Sequence, residues 1–402
     1  MGISAALSVG GLRTGVCLST SKPASPYDGQ VIYMTDVDQS AVWDGSAWVG
    51  LNPSRDRNVI INGAMQVAQR GTSTASITTT GYYTADRFQT ICNYGTFTQS
   101  VEADAPTGSG FRRSTKMLVT TANASPAAGA ELQFRQLIEG FNSQVFAKGT
   151  SSAKSFSISF WVKSNVTGTY VLELYDNDNA RHVGATYTIS ASATWEKKTI
   201  TFPADTTGAF DNDNALSLIV GFWLGAGTNF TSGTLPTTWA SATSANRAVG
   251  QTNLAAATNN YWQVTGVQLE AGAVATPFEF EDYGVTLAKC QRYYQRISPA
   301  LAFGSFGGFG AAGSSTGADF DFVLPVQMRV TPTAIDVSAQ THFAGSTSNA
   351  TYGATSIAIQ GATANKSVMS ISLGGMTVTA GTSMRMLANN TSSAYLGFSS
   401  EL

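Results

Sequence analysis

The 402-residue sequence predicts an all-β protein in three parts: a small N-terminal β-meander over residues 1–57, a central jelly-roll β-sandwich over 58–285 and a C-terminal β domain over 286–402. Short runs of apolar and polar alternation recur along the chain, as strands with one buried face require. Turns rich in Gly, Asn, Asp and Thr separate them, and no long amphipathic helix interrupts the series. Composition agrees, because 43% of residues are apolar, enough for a core, while only 12% are charged, about half the usual share. That balance argues against disorder. Copies of the chain burying one another's surfaces would account for so few charges; an ordinary neutral polar surface is the alternative.

In the first part, Pro23 and Pro26 punctuate the chain and Gly29–Thr35 then alternates as a strand. Ser40–Trp43 and Ser46–Gly50 flank Asp44-Gly45, the preferred pair for a two-residue type I′ hairpin. Trp43 and Trp48 lie on its two arms, placed to pack together. A unit this small is marginal alone, so it either packs on the next domain or docks onto another protein.

The middle part opens with NVIINGAMQVAQRG, read as a strand region with a turn at Asn62-Gly63 and an end at Arg70-Gly71. Strands follow at Phe88–Ser100, Lys116–Thr120, Glu131–Leu137, Phe156–Lys163, Thr169–Tyr175, Ala185–Ile189, Lys197–Phe202, Leu216–Leu224 and Trp262–Leu269. About ten strands with such turns make two packed antiparallel sheets. In the last of them the alternation slips at Thr265-Gly266-Val267, which predicts a bulge.

From Tyr261 to Arg296 the pattern changes its period. Pro277 ends the strand, and Phe278 and Phe280 alternate with Glu279 and Glu281 in a second extended piece. Leu287, Cys290 and Tyr293 or Tyr294 fall at helical spacing, so Val285–Arg292 is a short helix before a strand at Tyr294–Ile297. Further on, Phe320 and Phe322 alternate, Pro325 and Pro332 limit where a central strand can run, and Val368–Leu373 and Met376–Ala380 flank Gly374-Gly375 as a hairpin. Ala394, Leu396 and Phe398 alternate to the end. No solenoid-length repeat is visible.

These stretches carry a family resemblance. WQVTGVQLEAGAVATPFEF followed by CQRYYQR resembles the domain junction of tail fibre and receptor-binding proteins of tailed bacteriophages. PASPYDGQVIYMTDVDQSAVWDGSAWV is similar to short modules near the N-termini of phage structural proteins. SFSISFWVKSNVTGTYVLELYDND with TWEKKTITFPAD resembles the jelly rolls shared by carbohydrate-binding modules and phage fibres, and LPVQMRVTPT resembles the fibre C-terminal domain. The resemblance implies a homotrimer in the virion tail, attached through its N-terminal segment to another tail or baseplate protein, with a host surface glycan as the partner of its distal domains.

Few groupings of reactive side chains compete with that expectation. The two histidines, His182 and His342, are far apart in the chain. Neither is set up for a triad or a zinc site, and each reads as a surface or satisfied polar residue. Glu279 with Glu281, and Asp319 with Asp321, would share one strand face, whereas glycan hydrolysis needs carboxylates on opposite sides of the scissile bond. Asp176–Asn179 and Asp211–Asn214 repeat Asp-Asn-Asp-Asn, oxygen ligands of the kind calcium takes, although the loop lacks the glycine and glutamate of a calcium-binding hand. Asx turns are the local explanation.

Of the tryptophans available for sugar stacking, Trp223 and Trp262 lie in apolar strands, and Trp239 sits in a long loop where core packing or a subunit contact competes with binding. Cys17, Cys92 and Cys290 imply no disulfide framework and read as small buried residues. The formal net charge of −2 argues against nucleic acid. The first residues make a poor export signal, and Ala215–Gly227 is too short to span a bilayer. The sequence therefore predicts a structural, glycan-binding protein with no catalytic residues, cofactor or metal. A virion-borne glycan-degrading enzyme with carboxylates from distant positions and a decoration fibre of the phage head are the alternatives.

Overall fold

A computed structural model describes residues 15–36, 39–50, 56–360 and 367–402. The residues read as a poor export signal fall largely within 1–14, outside that set. The chain forms two compact units, Met1–Arg57 and Asn58–Leu402.

The first unit is a four-stranded sheet in the order β1-β2-β3-β4, with β1 (Gly15–Cys17), β2 (Val31–Met34), β3 (Gln39–Trp43) and β4 (Trp48–Gly50). β1 runs parallel to β2, a pairing that the sequence did not reveal; the other neighbours are antiparallel. Ile32, Met34 and Ala41 make its small core, against which Cys17 and Trp48 pack. Cys17 is thus half-buried rather than buried. Trp43 and Trp48 meet edge to face with centroids 5.7 Å apart. The hairpin between them is not the expected two-residue turn. Trp43 pairs directly with Trp48, leaving Asp44 to Ala47 as a four-residue loop. The Asp44 carboxylate accepts the backbone N–H groups of Ser46 and Ala47 at 2.8 and 2.7 Å, and these bonds hold it below the usual carboxylate range.

The second unit opens with a two-sheet sandwich. Its strands are β5 (Ser73–Ile77), β6 (Gly81–Tyr82), β7 (Phe88–Cys92), β8 (Thr96–Glu102), β9 (Ser114–Thr121), β10 (Glu131–Glu139), β11 (Phe156–Ser164), β12 (Gly168–Asp176), β13 (Arg181–Ile189), β14 (Glu196–Phe202), β15 (Leu216–Ala226), β16 (Ala240–Ser241) and β17 (Tyr261–Ala271). One sheet has the order β16-β13-β12-β15-β10-β7-β6 and the other β14-β11-β17-β9-β8-β5. All their pairings are antiparallel. Period-two alternation sends Phe156, Ile158, Phe160 and Val162 of β11 and Leu218, Val220, Phe222 and Leu224 of β15 into the shared core. Aromatic rings from both sheets close it, as where Phe222 meets Phe160 and Trp262 at 5.0 and 5.5 Å.

Two expectations fail here for local reasons. Phe88–Ser100 is two strands in different sheets, divided by a turn at Asn93–Gly95, where Gly95 takes a φ of +70°. NVIINGAMQVAQRG is no strand. It folds on itself with Asn62 and Met65 at positive φ, and the buried Asn62 amide donates to the carbonyls of Val67 and Asp86. The predicted bulge is present. Thr265 pairs with Trp161 and Gln268 with Ser159, leaving two β17 residues against one of β11. Gly266 has a φ of +62°, and a Cβ there would strike the ring of Phe111. Phe278 and Phe280 are not in a strand; they pack on Phe111 at 4.8 and 5.1 Å, covering part of the six-stranded sheet.

The helix occupies Tyr283–Gln291, two residues earlier than predicted, because the Asp282 carboxylate caps it by accepting the Gly284 N–H. The remaining strands are β18 (Tyr294–Ile297), β19 (Ser305–Ala312), β20 (Gly317–Val323), β21 (Ile335–Val337), β22 (Phe343–Ser346), β23 (Thr351–Gly353), β24 (Ser356–Ile359), β25 (Val368–Gly374), β26 (Ser383–Ala388) and β27 (Leu396–Ser399). They make a three-stranded sheet, β18-β27-β21, and a seven-stranded one, β23-β22-β26-β19-β20-β25-β24, around a second core. Gly374-Gly375 is not the expected hairpin, since β25 pairs with β20 and β24. Met376–Ala380 forms no strand. Met376 and Val378 still turn into the core, with their N–H groups on the carbonyls of Thr316 and Ser315.

Residues 58–285 and 286–402, expected as two domains, hold separate cores but together make one compact unit. Their junction is polar. Glu401 accepts from Arg70 and Arg87, Arg292 grips Glu139, and Arg329 donates to the Asn214 carbonyl at 2.7 Å. The guanidinium groups of Arg70 and Arg87 lie over the rings of Tyr294 and Tyr293 at 3.5 and 3.4 Å.

Nearby, burial pushes the Asp86 carboxyl up to about 6, against opposing hydrogen bonds from Gln69. An unfolded aspartate titrates near 3.9. Between those values the folded state binds more protons, so this group's contribution to stability falls as pH rises from about 4 to about 6. Asp86→Asn removes that dependence. Urea unfolding at pH 4 and pH 7 should show the variant gaining about 2–3 kcal/mol on the wild type across the interval; parallel profiles would contradict the assignment.

Candidate functional site

The structure accounts for most of the sequence-predicted groups by local partners. The two Asp-Asn-Asp-Asn stretches meet at one end of the sandwich, where Asp178 accepts the Asp211 N–H at 2.9 Å. A lysine is the cation beside the first of them. Buried Lys148 donates to Asp176 at 2.6 Å, lies 3.1 Å from Asp205, and also donates to the carbonyls of Thr207 and Gly208. Among the described residues no group of three or more His, Cys, Asp or Glu is placed to hold a metal ion.

His182 is buried, not on the surface. Its Nδ1 lies 2.9 Å from Glu173, which also accepts from Arg247 and from the Trp223 indole at 3.1 Å. Burial raises the Glu173 pKa, but His182 and Arg247 outweigh it and hold the group below its ordinary value. A carboxylate so fully engaged fastens the loop carrying Arg247 to the outer face of the seven-stranded sheet; it has no free lone pair for a substrate proton. His342 is half-buried beside the Ser338 hydroxyl. Glu279 accepts the Asn58 N–H, and Glu281 pairs with Lys289. Asp319 and Asp321 share one face of β20, as predicted. Burial pushes the thiols of Cys92 and Cys290 up. The Ala215–Gly227 run is mostly β15, and among the described residues no helix is long and apolar enough to cross a membrane.

None of the three tryptophans considered for sugar stacking offers an open face. Trp262 is in the main core, Trp223 lies beneath the loop bearing Phe230 and Arg247, and Trp239 packs on Phe156 with its indole donating to the Pro203 carbonyl.

An aromatic and polar patch that sequence reading missed lies on the outer face of the six-stranded sheet. Alternation along β11 that buries Phe160 and Val162 turns Trp161 and Lys163 outward. Trp161 stands opposite Lys197 of β14 and Thr265 of β17; Lys163 stands opposite Gln263, two residues or ~7 Å further along. Trp195, at the entrance to β14, lies under the Lys163 ammonium at 5.0 Å, and its indole donates to Asp104 at 3.2 Å. Asp104 also pairs with Lys163 and accepts from Gln263 at 3.3 Å. Burial raises its pKa, yet these donors outweigh it and keep the group ionised below the usual carboxylate range. The side chain remains 46% exposed. Both indoles are half-buried, and Tyr261 lies under Lys116 further along the same face.

Such a surface matches a pyranose, whose ring carbons pack on an aromatic face while its hydroxyls take a carboxylate, an amide and ammonium groups. Asp104 and Trp195 are 91 residues apart, so no local motif joins them.

No protein-family model matches the chain, and no curated protein matches it in sequence. Among solved structures, the enzymatically active domain of bacteriophage CBA120 tailspike protein 4 overlaps 56% of this chain at 16% identity and a TM-score of 0.29; the overlap spans 22% of the tailspike chain. TmCBM61, solved with β-1,4-galactotriose, overlaps 54% at 8% identity and 0.27, spanning 99% of its own length. The family 11 carbohydrate-binding module of Clostridium thermocellum, solved with a mixed-linked tetrasaccharide, overlaps 51% at 11% identity and 0.26, spanning 98% of that module. The all-β fold itself is read from the chain's own sheets.

Proposed function

We propose that this chain is a structural fibre protein of a tailed bacteriophage, carried in the virion tail as a homotrimer, which attaches to a bacterial host by binding surface glycans without cleaving them. The observation that carries the glycan part is the exposed Asp104 carboxylate ringed by Trp195, Lys163 and Gln263, with Trp161 alongside. It combines aromatic surface with fixed polar groups, and its carboxylate is held ionised, suited to accepting sugar hydroxyls. The virion part is supported by the sequence resemblance of the 262–296 stretch to phage fibre junctions, and the four-stranded N-terminal unit is assigned to docking on another tail protein.

A bacterial-polysaccharide array probed with the full chain tests the reading. Trp195→Ala removes the indole that donates to Asp104 and should weaken retention on every glycan bound, by about thirtyfold for a loss near 2 kcal/mol. An unchanged binding pattern in Trp195→Ala would place glycan recognition elsewhere.

A further inference from the structure

We propose that the outer face of the C-terminal seven-stranded sheet is the surface through which three copies of this chain associate. On β19, Phe309 is paired with Asp321 of β20 on one side and Arg385 of β26 on the other. Alternation fixes their direction, because Phe320, Phe322, Met384 and Met386 fill the core and turn Asp321 and Arg385 outward. Phe309 is 73% exposed and Val323, two residues beyond Asp321, is 81% exposed. They are the two most exposed large apolar side chains on regular strands of the second unit. Such side chains on an open sheet face mark an interaction surface when they cluster.

The flanking charges identify the occupant. Arg385 and Asp321 are separated by Phe309, two strand spacings or ~10 Å apart, and among the described residues neither side chain has a hydrogen bond or ion pair. A partner of single charge would satisfy one of them and repel the other. Two further copies of the same row satisfy both, since Arg385 of one chain meets Asp321 of the second and its own Asp321 meets Arg385 of the third, while the Phe309 and Val323 surfaces are buried between them. Repeated round a three-fold axis, that contact closes with every charge matched. The inference rests on the homotrimer in the proposed function and is independent of the glycan patch, which lies on a different sheet.

Sedimentation velocity of the full chain at micromolar concentration tests it. The wild type should sediment with the mass of three chains. Phe309→Ser, Asp321→Arg and Arg385→Asp should each weaken association at least tenfold, and the double reversal Asp321→Arg with Arg385→Asp should restore it. Far-ultraviolet circular dichroism spectra should be unchanged in all four, since the substituted side chains are exposed in the single chain and hold no part of its core. A monomeric wild type would overturn both the trimer and this surface. A trimer unaffected by the single substitutions, or a double reversal that stays dissociated, would overturn the surface alone. A two-chain assembly dissolved by the same substitutions would retain the surface and discard the three-fold arrangement.

Discussion

Lys148→Met should destabilise the sandwich by about 3–5 kcal/mol, the usual cost of leaving buried carboxylates without their cation. The ammonium group has no exposed surface and binds Asp176 at the end of β12 together with Asp205 and the carbonyls of Thr207 and Gly208 in the loop after β14. It also lies 5.2 and 5.1 Å from the rings of Phe210 and Trp239. Methionine fills similar space, so the loss is mostly electrostatic. Adding Asp176→Asn should recover part of it, because an amide is far less costly to bury uncompensated. Urea unfolding of the single and double variants checks both statements. Addition of calcium should not rescue the single variant; rescue would mean that the loops hold a metal site after all.

Glu401→Gln should cost a similar ~3–5 kcal/mol and act at the junction between the two cores. Glu401 neutralises Arg87, which is 1% exposed, and Arg70. Removing its charge leaves both guanidinium groups against tyrosine rings without the carboxylate that pairs with them. The expected signature is a lower unfolding midpoint and loss of hydrogen-exchange protection in β18 and β27 ahead of the sandwich strands. Equal loss of protection throughout residues 58–402 would show that the cores unfold together and that the junction does not govern the order.

The strands that could be read from sequence are those whose alternation is strong enough to dominate local chemistry. β11, β12, β15 and β17 were placed within a residue or two because bulky apolar side chains mark one face in each. β19 was missed as a strand because it is rich in glycine. The structure shows why: a Cβ at Gly310 would run into the Asp319 carbonyl, and one at Gly308 would strike the Phe322 ring. Strands β21 to β24 are three or four residues each, too short to establish a period. The error at residues 58–71 has the opposite cause. Apolar residues alternate there, but the Asn62 side chain supplies the hydrogen bonds of a folded loop, and side-chain to backbone bonding outcompetes a strand ladder.

The candidate site was less legible than the fold. Trp161, Lys163, Trp195, Asp104 and Gln263 come from four separate stretches, brought to one face by the β11–β14 and β11–β17 registers. The tryptophans weighed from sequence were chosen for their neighbourhoods of loop or strand, whereas the informative property was which side of the sheet each one faced. That depends on register, and a one-residue shift reverses it. The ammonium group beside Asp176 comes from Lys148, 28 residues earlier in the chain, so the first Asp-Asn-Asp-Asn stretch by itself does not show its partner.

Adhesion without turnover is tested most directly by incubating the purified full chain with the polysaccharide selected on the array and following both retention and the polymer's size distribution. The expected result is a retained, full-length polysaccharide, with retention reduced in Trp195→Ala. Release of oligosaccharides, abolished by replacing a single carboxylate, would contradict it and make the chain a glycan-degrading enzyme.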